Sequence, residues 1–272
     1  MTKRIPKRVG ASIATLLAVA LTALAIRYAD RTLGDPSTVS GWSLLAAVAS
    51  LYLLQLRKKF VGRLGPVSVW LQVHVYTGTF ACAVFLMHIG WPVRGIFEQC
   101  LAFVFVFVSA TGVLLTYLSR TTPRRLAAIA EDHHLAQIPS LQNGVASDAH
   151  SLALQSTSHG EGATLAEYYQ RRLLPYFRSP RGFLYCIVPN GIRRRQLLRE
   201  LGGLDRYLGD SGRSSAAQLA TAVKVKDDLD YQYALQYRLK LFFMLHVSLT
   251  WSLALLVAVH VVLVLRFQGT LQ

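Results

Sequence analysis

Apolar residues are concentrated in five runs of membrane-spanning length, separated by short polar segments and by one long polar insert. A transmembrane helix needs about 20 mainly apolar residues, within a range of about 17–25. The runs cover residues 10–26, 38–56, 66–90, 97–118 and 239–265. The pattern predicts an all-α integral membrane protein with five transmembrane helices, four of them within residues 1–118. The first run follows a basic leader, as in a signal peptide, but we expect it to persist as a helix.

Basic residues lie at alternate ends of these runs, which predicts the orientation of the chain. Cytoplasmic loops of membrane proteins carry an excess of Lys and Arg. Three clusters fall on one side if every run crosses once: residues 3–8, residues 57–63 and residues 120–125. We therefore expect a multi-pass protein of the inner (cytoplasmic) membrane, with the N-terminus in the cytoplasm and the C-terminus outside.

Residues 119–238 form the polar insert, which this orientation places in the cytoplasm between the fourth and fifth spans. Its Ser-, Gly- and Ala-rich centre, from about residue 138 to 165, looks weakly structured. Residues 191–210 read as an amphipathic helix that stops at Gly202 and Gly203, and the segment after residue 213 reads as a helix leading into the fifth span. We expect a partly helical insert, followed by residues 239–272 as the fifth helix and a short outer tail.

The chain of 272 residues has a formal net charge of +15 and is 53% hydrophobic. A soluble protein this basic usually binds nucleic acid or anionic surfaces. The membrane-length runs instead make membrane lipid the expected partner, with no nucleic acid. The three cysteines form no CxxC, CxxCH or iron–sulfur pattern, so covalent c-type haem and clusters are not expected in this chain.

Four of the eight histidines lie inside apolar runs: His74, His88, His246 and His260. They bound two fifteen-residue segments, HVYTGTFACAVFLMH and HVSLTWSLALLVAVH. Fourteen helical residues turn through four turns less about 40°, so both histidines of a segment share a face and stand about 21 Å apart. The third and fifth spans run in the same direction, which predicts two facing pairs. We call His74/His246, on the cytoplasmic side, the first pair, and His88/His260, on the outer side, the second pair.

Several roles are open for these imidazoles. A lone intramembrane His is most often a helix–helix hydrogen-bonding group. A zinc site needs clustered ligands, and the 21 Å spacing separates the pairs. A proton relay would include Asp or Glu, and neither occurs in these two segments. Haem iron takes one axial ligand from each face, and two histidines leave no open position, which favours electron transfer. Bis-histidine di-haem binding is the preferred interpretation, ahead of structural histidines or another metal.

Residues near the histidines are compatible with haem. Gly78 lies one turn after His74 and would make room for a flat macrocycle, although small residues are common in any membrane helix interface. Thr77 and Thr250 lie within a turn of a histidine and are candidates to orient an imidazole. Haem propionates would seek cations, although basic residues also flank spans for ordinary reasons; the candidates are Arg63, Arg238, Lys240, Arg94 and Arg266.

The four histidines give the chain its resemblance to two families. The haem core resembles the quinol-oxidising cytochrome b of respiratory and photosynthetic complexes, which carries two His pairs with this spacing. It is also similar to the ferric-reductase-like transmembrane family. The match covers about residues 66–118 and 239–266. The chain lacks the Pro-Glu-Trp-Tyr motif of the first family, and we expect no flavin and nicotinamide domain of the kind that follows the core in the second.

The resemblance implies two non-covalent b-type haems and leaves the electron donor and acceptor open. We expect an electron-transfer subunit of an oxidoreductase complex, which carries electrons between quinone or a cytoplasmic donor and a partner on the other face. Iron–sulfur, flavin or multihaem subunits are the expected redox partners. The alternatives are a stand-alone quinol dehydrogenase or ferric-reductase-like protein, and a non-redox membrane anchor whose histidines only pack helices.

Overall fold

The computed structural model describes residues 5–32, 34–54, 66–90, 92–129, 133–157 and 163–268. Regular structure in these ranges is helical, and no strand occurs among them. The α-helices in chain order are α1 (Ile5–Arg31), α2 (Pro36–Leu51), α3 (Val67–His88), α4 (Ile96–Leu126), α5 (Ile138–Thr157), α6 (Ala163–Tyr168), α7 (Leu174–Arg178), α8 (Phe183–Ile187), α9 (Ile192–Gly203) and α10 (Asp210–Gln268). A π-helical turn links α6 to α7, and a 3₁₀ turn precedes α10.

Among the described residues, four helices are long and apolar enough to cross a membrane, as expected of a multi-pass membrane protein: Val9–Arg31, Val67–His88, Ile96–Leu126 and the apolar part of Asp210–Phe267. Their exposed surfaces are rich in Leu, Val and Phe, which suits contact with lipid chains. The all-helical fold and four of the five predicted spans are thus present in the structure.

Helix α2 corresponds to the remaining predicted span, but its regular part has only 16 residues. It begins at Pro36, because the Asp35 carboxylate caps it by accepting a hydrogen bond from the Ser37 N–H at 2.9 Å. Capping by Asp with Pro in the first turn is a strong helix start. The basic cluster expected after this span lies in residues 55–65, outside the described residues.

The helices that carry the histidines belong to one compact unit, formed by residues 1–116 and 245–272. Its core includes Ala47, Ala81 and Leu253. The rings of Phe85 and Phe105 stack with centroids 4.2 Å apart. Phe85 is on α3 and Phe105 is on α4, so these helices are packed directly against each other.

The second unit, residues 117–244, contains α5 to α9 with the adjoining ends of α4 and α10. The expectation that its Ser-, Gly- and Ala-rich centre is weakly structured is wrong, because residues 138–157 form α5. Ile138, Ala149 and Ala153 on this helix are buried. Alanine is the best helix former, and Ala149 and Ala153, four residues apart, place small side chains on one face, which allows close packing.

A buried ionic cluster joins α10 to the rest of the insert. Arg181 binds Asp227 at 2.7 Å and Asp230 at 2.8 Å, and the Lys226 ammonium binds Asp230 at 2.8 Å. The Gln142 amide on α5 also donates to Asp230, at 2.7 Å. Buried charges are tolerated only when they are paired and hydrogen-bonded in this way. The same helix then continues without a break into the fifth apolar run.

Candidate functional site: paired histidines in the membrane helices

The structure brings the four intramembrane histidines together as two pairs. In the first pair, the ring centroids of His74 and His246 are 6.5 Å apart, with the ring planes at 78°. In the second pair, the centroids of His88 and His260 are also 6.5 Å apart, with the planes at 85°. The first histidine of α3 along the chain, His74, faces the first one of α10, His246, and the second histidines of the two helices also face each other. These two helix segments therefore run parallel.

His88 of the second pair is supported by α2. Its Nδ1 lies 2.9 Å from the Ser40 hydroxyl oxygen, and that hydroxyl is also 3.1 Å from the carbonyl oxygens of Pro36 and Ser37. The next residue, Gly41, lies so close to the imidazole that a Cβ there would be 3.1 Å from His88 Cε1. The absence of a side chain at Gly41 therefore lets α2 approach the ring.

His246 of the first pair has the same kind of support from α4. Its Nδ1 lies 3.0 Å from the Thr111 hydroxyl oxygen, which is also 3.0 Å from the Phe107 carbonyl and 2.9 Å from the Val108 carbonyl. A Cβ on the following residue, Gly112, would be 3.3 Å from His246 Cε1. A hydroxyl residue followed by glycine thus holds one imidazole of each pair.

The hydroxyl contacts are compatible with one tautomer of His88 and His246. A hydroxyl has one proton, and backbone carbonyl oxygens can only accept. When Ser40 and Thr111 donate to a carbonyl of their own helix, each hydroxyl oxygen is left to accept from the imidazole Nδ1–H. That arrangement keeps the proton of the neutral ring at Nδ1 and leaves the Nε2 lone pair available as a metal ligand.

The other member of each pair is held differently. The Nδ1 atom of His74 is buried and contacts no hydroxyl among the described residues; the backbone group near its imidazole is that of Leu51. The His260 ring lies against Phe97, with centroids 6.3 Å apart and the planes at 17°. Each pair therefore combines one imidazole fixed by a hydroxyl group with one that lacks such a bond in the described part of the chain.

Two cavities border the second pair, each of about 460 Å³. The first is walled mainly by apolar side chains of α2, α3, α4 and α10, among them Trp42, Phe105 and Leu253. The second lies beside the segment between α3 and α4, and Arg94 and Glu98 are among its lining residues. His88 and His260 line both cavities. Apolar space with a few polar groups is typical of ligand and cofactor sites.

The residues predicted around the histidines have different outcomes. Gly78 borders open space, with nothing within 4 Å of an added Cβ, and Arg94 lines the second cavity. Arg266 is exposed near the end of α10, where its neighbours line the first cavity. Lys240 is exposed at the start of the fifth apolar run, and Arg63 lies outside the described residues.

Two further candidates have other roles in the structure. The Arg238 guanidinium donates to the carbonyl of Ile187 in the insert at 3.0 Å. The Thr250 hydroxyl donates to the backbone carbonyl of His246 at 2.7 Å, and the Thr250 carbonyl accepts from the Tyr52 hydroxyl at 2.6 Å. Ser40 and Thr111, which contact the imidazoles, were not predicted. The sequence marks them only as a hydroxyl residue followed by glycine in the second and fourth apolar runs, a pattern that Thr77 and Gly78 in the third run share.

The donor set and its geometry fit a six-coordinate metal with two axial imidazoles. Within the ranges that the structure describes, no group of three or more His, Cys, Asp or Glu could hold an ion. A zinc–imidazole nitrogen bond is about 2.0–2.1 Å long, and the nitrogen lies roughly 1.2 Å from the centre of its ring. Two imidazoles on opposite sides of one metal with bonds of that length would therefore have ring centres about 6.4 Å apart. The observed 6.5 Å agrees. An edge-to-face ring contact also falls within about 4.5–7 Å, so this spacing is common to both arrangements, and the cavities lined by His88 and His260 add space for a ligand at the second pair.

Comparison with known proteins found no relative of this chain. No family model, curated protein or solved structure matches the chain. The functional conclusion therefore depends on the residues and the geometry described above.

Proposed function

We propose that the chain is a membrane-embedded di-haem b-type cytochrome subunit that carries electrons across the bilayer within a larger redox complex. The proposal rests on one observation: four histidines form two facing pairs, and in each pair the ring centroids are 6.5 Å apart. A single intramembrane histidine has an ordinary packing explanation. Two equally spaced pairs, each with one Nε2 lone pair left free, are better explained as two axial ligand sets.

The side chains perform three tasks in this proposal. The histidines would hold the metal centre through Nε2, while Ser40 and Thr111, whose hydroxyls contact Nδ1 of His88 and His246, would fix the imidazole orientation and keep the proton at Nδ1. Gly41 and Gly112 let the supporting helices approach the rings. Haem bound by two imidazoles supplies one-electron transfer and has no open position for oxygen.

The surroundings of each pair would hold the rest of the macrocycle. The apolar cavity beside the second pair suits the porphyrin ring, and Gly78 provides space next to the helix of the first pair. Arg94, which lines the other cavity, is the cation with the best supported role as a propionate partner. Lys240, Arg266 and Arg63 are proposed for the same role because of their places in the sequence.

The proposed topology has five spans, with α2 as the second. Its Ser40 and Gly41 contact His88, and a Tyr52 hydrogen bond reaches Thr250 on α10, so α2 packs against the histidine-bearing helices. The positive-inside pattern places the N-terminus in the cytoplasm and the C-terminus outside. In this arrangement the first pair lies on the cytoplasmic side of the inner membrane.

In the part of the chain that the structure describes, we recognise no site for the chemistry of a donor or acceptor. We therefore propose that it works with other redox subunits, which would contain an iron–sulfur cluster, a flavin or several haems. Quinone is the expected membrane donor or acceptor. The subunits that co-purify with the chain would identify the complex.

An optical spectrum of the purified protein tests the proposal directly. We expect a Soret band and b-type α-bands, with two haems per chain by pyridine haemochrome assay. His74→Ala and His260→Ala should each remove one haem, because each deletes one axial ligand. His134→Ala, at an exposed histidine of the insert, is the matched control and should retain both.

Two results would contradict the proposal. A folded protein with no Soret or α-band, even when expressed with excess haem, would support a non-redox anchor. Unchanged haem content in both His74→Ala and His260→Ala would refute the ligand assignment. Complete turnover from a quinol to a soluble acceptor, or sustained ferric reduction, by the isolated chain would show that it works without other redox subunits.

A further inference from the structure

The insert exposes a short apolar stretch on α8 and at the start of α9. Phe183 is 61% exposed, Leu184 82%, Val188 68% and Ile192 61%. Scattered exposed apolar residues are ordinary, but contiguous apolar patches usually mark a binding surface. Cys186, on the same helix, is buried, so α8 has one side against the insert and another with no cover.

A hydrogen bond fixes the position of α8 along α10. The Arg238 guanidinium donates to the carbonyl of Ile187 at 3.0 Å. Arg238 directly precedes Leu239, where the fifth apolar run begins. The exposed apolar side chains are therefore held next to the residue at which the fifth apolar run begins.

Basic residues continue this surface on α9. Residues three and seven positions apart lie on the same face of a helix, so Arg195 and Arg199 share the face of Ile192, and all three are exposed. Leu197 and Leu201 lie on the opposite face and are buried in the insert. Helix α9 thus presents an apolar side chain and two guanidinium groups to the outside.

We propose that Phe183, Leu184, Val188 and Ile192, with Arg195 and Arg199, form an interfacial anchor that binds an anionic phospholipid leaflet. Apolar side chains inserted below a row of cations are the usual composition of such a surface. The charge of the surface and its place beside the membrane-spanning part of α10 favour lipid over another protein. The anchor does not depend on haem and would hold the insert against the membrane at a second point.

Depth measurement by spin labelling tests the anchor in the full chain. The label is placed at Leu184→Cys, in a background where Cys82, Cys100 and Cys186 are Ala, in nanodiscs with and without phosphatidylglycerol. The control is Tyr207→Cys, which has similar exposure at 64%. Tyr207 lies just before α10, and the 28 residues from Asp210 to Arg238 place that end about 42 Å along the helix from the anchor.

We expect the label at position 184 to be more accessible to oxygen than to a water-soluble nickel complex, and the label at 207 to show the reverse. Arg195→Gln with Arg199→Gln should make position 184 shallower in discs that contain phosphatidylglycerol. Arg171→Gln, at an exposed arginine elsewhere in the insert, should leave its depth unchanged.

Three results would overturn the proposal. Equal nickel accessibility at 184 and 207 would show that the surface stays in water. Protection of position 184 from both reagents would indicate a protein partner instead of lipid. An unchanged depth after both arginine substitutions, or without phosphatidylglycerol, would remove the anionic lipid from the explanation.

Discussion

Replacing Ser40 by Ala should raise the reduction potential of the haem at the second pair. The Ser40 hydroxyl oxygen lies 2.9 Å from His88 Nδ1. Ligation through Nε2, as proposed, requires the ring proton at Nδ1, so the oxygen then accepts this bond; that makes the imidazole a stronger donor, which stabilises ferric iron. A hydrogen bond contributes about 0.5–1.5 kcal/mol net. If all of it acts on the ferric state, the shift is about 20–60 mV, because 59 mV corresponds to roughly 1.4 kcal/mol for one electron. Potentiometric titration of the α-band lost in His260→Ala measures this shift.

The matched control is Ser43→Ala on the same helix, since the Ser43 hydroxyl donates to the Val39 carbonyl at 2.8 Å. It should leave both potentials unchanged. An equal shift in Ser43→Ala, a downward shift in Ser40→Ala, or a shift confined to the haem of the first pair would refute the reasoning. A weaker band that titrates at an unchanged potential would show that Ser40 only supports the fold.

Two further predictions concern packing and charge. Gly112→Ala places a Cβ 3.3 Å from His246 Cε1, so it should displace the imidazole and lower haem occupancy at the first pair. A pyridine haemochrome assay measures this loss. The control Gly10→Ala, whose Cβ would have nothing within 4 Å, should leave haem occupancy unchanged. Asp230→Ala leaves the buried Lys226 without the carboxylate it pairs with and should destabilise the insert by about 3–5 kcal/mol in denaturant unfolding. The control Asp148→Ala, at an exposed position within α5, should change the stability by less than about 0.5 kcal/mol. Equal effects would contradict the importance of the buried ion pair.

Helix placement was predictable because it depends on local composition and periodicity. Long apolar runs predict membrane helices, and the stop of α9 at Gly202 and Gly203 agrees with the structure. The centre of the insert was mispredicted, because Ser and Gly obscured the alanines that form a packed face on α5. In the described residues, the second predicted span forms a regular helix of 16 residues, which is α2.

The sequence by itself determined which histidines can meet. A period of 3.6 residues places His74 and His88 on one face, and the alternation of spans makes their helix parallel to that of His246 and His260. Both properties follow from covalent geometry and the order of crossings. No long-range contact had to be known.

Only the tertiary structure decided what holds each imidazole. The bonds from His88 to Ser40 and from His246 to Thr111 join residues 48 and 135 positions apart, so they depend on which helices pack together and in what register. That register also puts Gly41 and Gly112 beneath the rings and opens the cavities beside the second pair. Packing between distant segments is a property of the folded chain, and no local pattern in the sequence encodes it.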